Sequence, residues 1–369
     1  MNISANDRQW VEETLEKVIG KISKTAPLFL NKIPYRTANG KYDDAYATEP
    51  GWWTNGFYAG MLWMLYERTG NDDFLKIARN HEELLDTVLL HDFEALHHDV
   101  GFMWHLSSRA SYALTGDKSS RNRALLAAAT LASRVNVKGN YIRAWNHDIT
   151  YSIIDCMMNL PLLYWASREL NDDRFRYIAE LHADMTAKEH IRDDGSVVHI
   201  VNHAETSTDI VETVGGQGYK DGSAWSRGQA WAVYGFCLSY IHTGNEKYLA
   251  VSEKTADYFL NAVKKNNYKI LTDFCAPEKP VYYDNSAGVC AACGLIELYK
   301  ITKKDHYLDG ALKILKAMEE DFIFDDSDES IVQNCMVSYI VGKEEHLVYA
   351  DFFLCEALLK LTDSDFLIW

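Results

Sequence analysis

Only six prolines interrupt the 369 residues, and strict polar–apolar alternation is scarce. A chain so poor in helix breakers and strand periodicity reads as helical. Ser196–Val201 and Tyr268–Leu271 are its weak strand candidates, both in connections. The longest apolar runs are too short to span a bilayer, and Met1 to Trp10 contains no hydrophobic signal core. Positive charge is in deficit: 37 basic against 53 acidic residues leave a net charge of −16. That balance excludes nucleic acid and anionic membrane surfaces as partners, though local basic groups can still form a pocket for a small anion. The cysteines are odd in number, seven in all, and most sit in apolar helical contexts. They read as free thiols in a reducing compartment, so a cytoplasmic location is expected. Cys290 and Cys293 make a C-x-x-C, but no βαβ pattern surrounds it, which argues against a redox pair. A Ser-His-Asp elbow, a zinc-ligand spacing and a nucleotide fingerprint are also missing. No metal and no cofactor is expected.

What is present is a helical repeat. Apolar residues recur at three and four, as in Trp10, Leu15, Val18, Ile19 and Ile22. Short polar turns punctuate them: Thr69-Gly-Asn-Asp-Asp73, Thr115-Gly-Asp-Lys118, Leu170-Asn-Asp-Asp173, Thr243-Gly-Asn-Glu246, Thr302-Lys-Lys-Asp305 and Thr362-Asp-Ser-Asp365. Six such turns predict six helical hairpins, and closing them in a ring predicts an all-α (α/α)6 barrel. An open α-solenoid is the alternative. The inner helices would be those rich in small and aromatic residues, such as Gly56–Trp63 and Gly228–Gly235. The Asn-Asp-Asp sequences are N-caps rather than metal ligands. No linker or low-complexity segment divides the chain, so residues 1–369 read as one domain. Its 47% hydrophobic content suffices for a large core.

The chemically distinctive residues fall just before or at the start of the inner helices, where a ring would converge them on one mouth. Asp155 lies in a run of Ile, Cys, Met and Leu, a setting that raises a carboxylate's pKa and suits proton transfer. Asp148 and Asn159 would share a helix face with it, unless Pro161 restarts the helix nearby. Asp99 follows His97 and His98 at a loop–helix junction, as a second carboxylate or an N-cap. Trp52 and Trp53 with Asn55 suit a sugar platform, and Trp145 lies just upstream of Asp155. His199 stands in a loop with Asn202 and His203. Gln217 lies in a glycine-rich stretch. Arg227 and Trp231 are four apart, and a guanidinium beside an indole would suit a carboxylate on a sugar ring. Two carboxylates, several Trp, an Arg and a few His at one mouth make a carbohydrate-enzyme constellation.

The sequence resembles the unsaturated glucuronyl hydrolases of glycoside hydrolase family 88. Trp53-Thr-Asn-Gly-Phe, His98-Asp-Val-Gly-Phe, Ile154-Asp-Cys-Met-Met-Asn-Leu-Pro-Leu-Leu, Asp193-Asp-Gly-Ser and Ser226-Arg-Gly-Gln-Ala-Trp carry the resemblance. It implies a cytoplasmic (α/α)6 barrel acting on lyase-generated glycosaminoglycan oligosaccharides that end in a 4,5-unsaturated uronic acid. It implies Asp155 as general acid/base and Asp99 as assisting carboxylate. Trp53, Asn55, Trp145, His199, Gln217, Arg227, Trp231 and Tyr339 would bind substrate. Departures at Val214–Gly216 and Asn334–Ser338 bear on substrate preference more than on reaction type, and Ser338, Tyr339 and Lys343 would meet the neighbouring sugar. Three other readings compete. They are an unsaturated rhamnogalacturonyl hydrolase acting on pectin fragments, a sugar epimerase with paired histidines on facing inner helices, and a non-catalytic oligosaccharide-binding protein.

Overall fold

The computed structural model describes every residue except Asn2, Thr208, Asp363 and Asp365. Twelve helices dominate it: α1 (Ala5–Thr25), α2 (Phe57–Thr69), α3 (Asp72–Leu84), α4, α5 (Lys118–Ser133), α6 (Leu160–Leu170), α7 (Asp173–Glu189), α8 (Ser226–Thr243), α9 (Glu246–Lys264), α10 (Asn285–Thr302), α11 (Asp305–Ala317) and α12 (Val348–Leu361). Helix α4 runs through Val100–Trp104 and Ala110–Thr115 with a π-helical turn, His105–Arg109, between them.

The even-numbered helices form the inner ring. Each packs on the next, and α12 packs on α2, which closes the circle. The solenoid alternative is therefore excluded, and the protein is an (α/α)6 barrel. Each inner helix pairs with the outer helix that follows it, except α12, whose outer partner is α1. The sixth pair is thus assembled from the two ends of the chain rather than from a local hairpin. The sixth sequence turn, Thr362 to Asp365, accordingly leads into no further helix, and its Asp363 and Asp365 lie outside the described residues.

Sequence pattern explains the two rings. Every residue of α12 is buried, and α8 is buried continuously from Ser226 to Ser239, as expected of helices apolar all round. Helix α1 buries one stripe only, Val11, Leu15, Val18 and Ile22. The inner-to-outer turns work as caps. Gly70, Gly116, Asn171, Gly244 and Lys303 adopt the left-handed conformation that ends a helix. Asn71, Asp117, Asp172 and Asn245 then cap the next one through side-chain oxygens.

Trp369 fills the barrel centre. Its ring lies parallel to Phe353 at 6.2 Å and edge-on to Phe102 and Tyr234, while its indole N–H donates to Glu356 Oε2 at 3.2 Å. Glu356 also accepts from Tyr234 and lies 3.5 Å from Lys360, which pairs with Glu297. These buried charges join α8, α10 and α12.

Among the described residues, no helix is long and apolar enough to cross a membrane. The strands are short. β1 (Tyr151–Ile153), β2 (Ile200–His203) and β3 (Ile210–Val214) form an antiparallel sheet in that order, built from connections. The expected strand at Ser196–Val201 is displaced to β2. Tyr268–Leu271 contributes a single bridge, Leu271 to Tyr283.

Candidate active site

Asp155 lies on a 3-10 turn, Ile154–Met158, between β1 and α6. Of the two geometries open here, a continuous helix from Asp148 or a restart near Pro161, the structure has the restart. Asp148 closes its own turn by accepting from the N–H and hydroxyl of Thr150 at 2.8 and 2.6 Å. Pro161 sits in the first turn of α6, where its missing N–H costs nothing, so the helix restarts there. On the 3-10 turn Ile154, Cys156, Met157 and Met158 are buried, whereas the Asp155 side chain keeps 14% exposure. It is the one side chain of that turn left facing outward.

His199 closes over Asp155, with Nε2 3.4 Å from Oδ1. The backbone N–H of Gln217 donates to His199 Nδ1 at 3.1 Å. The same Nδ1 lies 3.3 Å from the Gly215 carbonyl, so the loop 215–217 holds the imidazole on that side from two directions, while Nε2 and Asp155 Oδ1 face each other without a hydrogen bond between them. The imidazole lies 4.3 Å from the Trp225 ring. Gly216 wraps round it with φ +58, and a Cβ there would lie 2.3 Å from Nδ1. The departure at Val214–Gly216 therefore builds the cradle of His199. Gln217 continues the chain outward. Its Nε2 donates to Val337 O at 2.7 Å, and its carbonyl accepts from Tyr339 N–H at 2.9 Å.

Asp99 occupies the N-cap position of α4 but makes no cap hydrogen bond. Its carboxylate turns instead to His98 Nε2 and His97 Nδ1, both at 3.2 Å, and to Asn159 Nδ2 at 3.4 Å. Burial raises its pKa, but the His98 charge and the bonds from His97 and Asn159 outweigh it and hold the group below the usual carboxylate value. Burial lowers His98 in turn. The two directions disagree about the pair, since the lowered Asp99 draws on a charged His98; the three groups that face the carboxylate favour an ionised Asp99. The Nδ1–H of His98 donates to Ala144 O at 2.8 Å. Trp145, the next residue, stands edge-on to His98 at 6.4 Å. Trp53 packs on Phe57, Phe102 and Tyr349 and stays partly exposed.

Asp155, His199, Gln217 and Tyr339 are thus linked in one chain of contacts. Asn159 ties it to Asp99, and Asp99 to the wall of Trp145. Three expected ligand contacts are not brought there. Asn55 is fully buried and donates to Glu49 O and Pro50 O, so it ties the loop before α2. Trp231 is fully buried between Phe102 and Phe353. Arg227 has 1% exposure, and its carboxylate partner is the protein's own Asp284 at 2.7 Å. The nitrogen that reaches Asp284 also reaches Ser286 and Met336 O, the other terminal nitrogen donates to Val337 O, and the indole beneath the guanidinium is Trp225 rather than Trp231. The physical reason is register: four residues along α8, Trp231 is already one turn inside the core.

Trp225, Asp284 and Arg134 were missed. Asp284 immediately precedes an inner helix, as Asp99 does, and that position was the available signal. Arg134, at the end of α5, reaches Leu96 O, Ala144 O and Asn146 Oδ1 and so clamps the His97 loop to the Trp145 loop. Nothing in its local sequence marks it.

Residues 28–241 match the family model of Glycosyl Hydrolase Family 88. The chain belongs to this family. It is 32% identical over 329 residues to the unsaturated glucuronyl hydrolase of Bacillus sp. (strain GL1), covering 84% of this chain and 86% of that one. It is 34% identical to an unsaturated chondroitin disaccharide hydrolase of Streptococcus pyogenes serotype M1, covering 84% and 80%. The crystal structure of the Bacillus sp. GL1 enzyme superposes with a TM-score of 0.88 at 29% identity over 95% of this chain and 96% of that one. An unsaturated glucuronyl hydrolase specific for heparin superposes with a TM-score of 0.89 at 29% identity, covering 96% and 97%. The family 88 match spans both candidate carboxylates and His199, whereas Tyr339 and Asp284 lie beyond it.

Proposed function

We propose that this family 88 glycoside hydrolase removes the non-reducing-end 4,5-unsaturated uronic acid from lyase-generated glycosaminoglycan oligosaccharides by hydrating the C4=C5 bond. The observation that carries the reading is Asp155, the one outward-facing side chain of its turn, with His199 Nε2 3.4 Å from one carboxyl oxygen. In its protonated form Asp155 gives its proton to C4. Positive charge then spreads over C5 and the ring oxygen. The resulting Asp155 carboxylate takes a proton from water as the water oxygen bonds to C5, so the acid is regenerated. The hemiketal opens and expels the neighbouring sugar. Asp99, held ionised, accepts hydrogen bonds from sugar hydroxyls. Trp53 and Trp145 give the sugar apolar faces, while Gln217 and Tyr339 line the side towards the neighbouring sugar. Arg227 acts from behind by fixing the carbonyls of residues 336 and 337. The scheme requires proton transfer alone. Residues 1–369 act as one domain, because α1 completes the ring against α12. The seven free cysteines support a cytoplasmic setting.

The test is near-ultraviolet absorbance of lyase-generated unsaturated disaccharides, because hydration removes the conjugated double bond. The signal is expected to fall with hyaluronan or chondroitin disaccharides and to stay flat with Asp155→Asn, which retains affinity. Loss of signal on pectin fragments alone would move the substrate to the rhamnogalacturonyl class. A flat signal on all of them, with sugar still bound, would favour the binding protein.

A further inference from the structure

Asp155 and His199 meet where two strands run out. Ser152 of β1 pairs with Val201 of β2, and Ile153 with Ile200. The next bond along is Ile154 N–H to His199 O at 3.0 Å. Asp155 follows directly on that bond, and His199 immediately precedes β2. Strand β1 has only three residues and lies at the edge of its sheet. A ladder that short holds the two functional side chains weakly by itself.

A polar brace stands behind the ladder. Ser152 Oγ lies 2.8 Å from His190 Nε2 and 2.7 Å from His203 Nε2. His190 caps the end of α7 and grips Val198, the neighbour of His199, twice. Its Nδ1 lies 2.9 Å from Val198 O, and its carbonyl accepts from Val198 N–H at 2.8 Å. The His203 ring stacks on Tyr141 at 4.4 Å. Ser152, His190 and His203 are at most 1% exposed, so none of them touches a sugar. Apolar side chains would fill this volume without giving up bonds to water. Hydrogen bonds fix direction as well as distance, which apolar packing does not.

We propose that Ser152 and His190 are positioning residues. One hydroxyl and one imidazole tie the end of the outer helix α7 to the strand leading into Asp155 and to the residue before His199, and so set how these two groups face each other. The brace stands on its own geometry. Its effect on rate rests on the hydrolase reading above.

The experiment compares Ser152→Ala, Ser152→Cys and Ser152→Thr with wild type in the full chain. Alanine removes the hydroxyl, cysteine keeps its shape but bonds weakly, and threonine keeps the hydroxyl on a side chain suited to a strand. In Ser152→Ala and Ser152→Cys, kcat on the unsaturated disaccharide should fall at least about tenfold, with KM changed less than about twofold. Ser152→Thr should recover most of the loss. An effect of packing alone would rank Ser152→Thr worst, because it adds a methyl group to a fully buried site. Imidazole nitrogen resonances report the geometry without turnover. The His199 signal, assigned with His199→Gln, should move in Ser152→Ala and Ser152→Cys and return in Ser152→Thr. His190→Asn retains a donor towards Val198 O and loses the reach to Ser152. Combined with Ser152→Ala, it should cost little more than either change alone. Far-ultraviolet circular dichroism verifies each fold. Wild-type kcat in folded Ser152→Ala or Ser152→Cys, an unmoved His199 signal, or Ser152→Thr as slow as Ser152→Ala overturns the proposal. A His199 signal that follows the hydroxyl in a chain that never consumes the disaccharide would uphold the brace and overturn the hydrolase reading.

Discussion

Asn159 donates from Nδ2 to Asp99 Oδ1 at 3.4 Å, and through this side chain the start of α6 fixes the start of α4. The same amide nitrogen reaches Asp155 O at 3.2 Å, and its Oδ1 accepts from Phe102 N–H at 2.7 Å. The approach is close enough that a Cβ on Gly101 would lie 2.5 Å from Asn159 Cα. One side chain that need not touch substrate therefore holds the Asp99 carboxylate and the Asp155 backbone.

Asn159→Ala removes all three bonds and leaves a buried Phe102 N–H unpaired, at about 1–3 kcal/mol. A misplaced Asp99 should lower kcat by about 100-fold with a smaller change in KM. Steady-state kinetics paired with urea unfolding separates the two effects. Unchanged kcat would show that Asp99 is positioned without Asn159.

Gly216→Ala tests the cradle of His199. A left-handed backbone costs an alanine about 1–2 kcal/mol, and its Cβ would meet the imidazole. We expect kcat to fall at least about tenfold while the melting temperature drops by only a few degrees. Retained kcat would mean that the turn can shift without disturbing His199.

Arg227→Met tests whether Arg227 is chiefly a structural clamp. It leaves Asp284 buried without its partner; burial already raises that carboxyl's pKa and Arg227 opposes the rise. Breaking such a pair costs about 3–5 kcal/mol. Arg227→Met with Asp284→Asn should cost less than the sum of the two single changes. Chemical denaturation of the four proteins gives the coupling. A single variant of native stability that shows only a raised KM would restore Arg227 as a direct ligand.

Asp351 makes stability depend on pH. Burial raises its pKa to about 7, although the N–H groups of Val332 and Ile331 and the Tyr42 hydroxyl oppose that shift. The ordinary value is 3.8, so folding strips this group of less charge penalty below that value than above it. Its contribution is fully present below about pH 4 and is lost as pH rises to about 7, a fall of up to about 4 kcal/mol. Denaturation midpoints at pH 5 and 7.5 should differ for wild type and converge for Asp351→Asn. The same slope in both proteins would assign it to another group.

The sequence by itself determined the periodicity, the caps and with them five of the six helical pairs, since its sixth turn leads into no helix and the sixth pair joins α12 to α1. A glycine or asparagine ending one helix and an Asx residue starting the next act within four residues, so the turns at Thr69, Thr115, Leu170 and Thr243 are legible without the fold. The placement of Asp99 and Asp155 before inner helices was legible for the same reason, since both depend on local signals. What only the tertiary structure decided is which side chains at that mouth face outward. Arg227 and Trp231 share a helix face, yet one is neutralised by Asp284, 57 residues away in sequence, and the other lies a turn deeper against Phe353. The same holds for α12 finding α1, and for the seating of His199 over Asp155, which residues 215–217 hold. Burial and pairing are set by residues distant in the chain, and no local pattern encodes them.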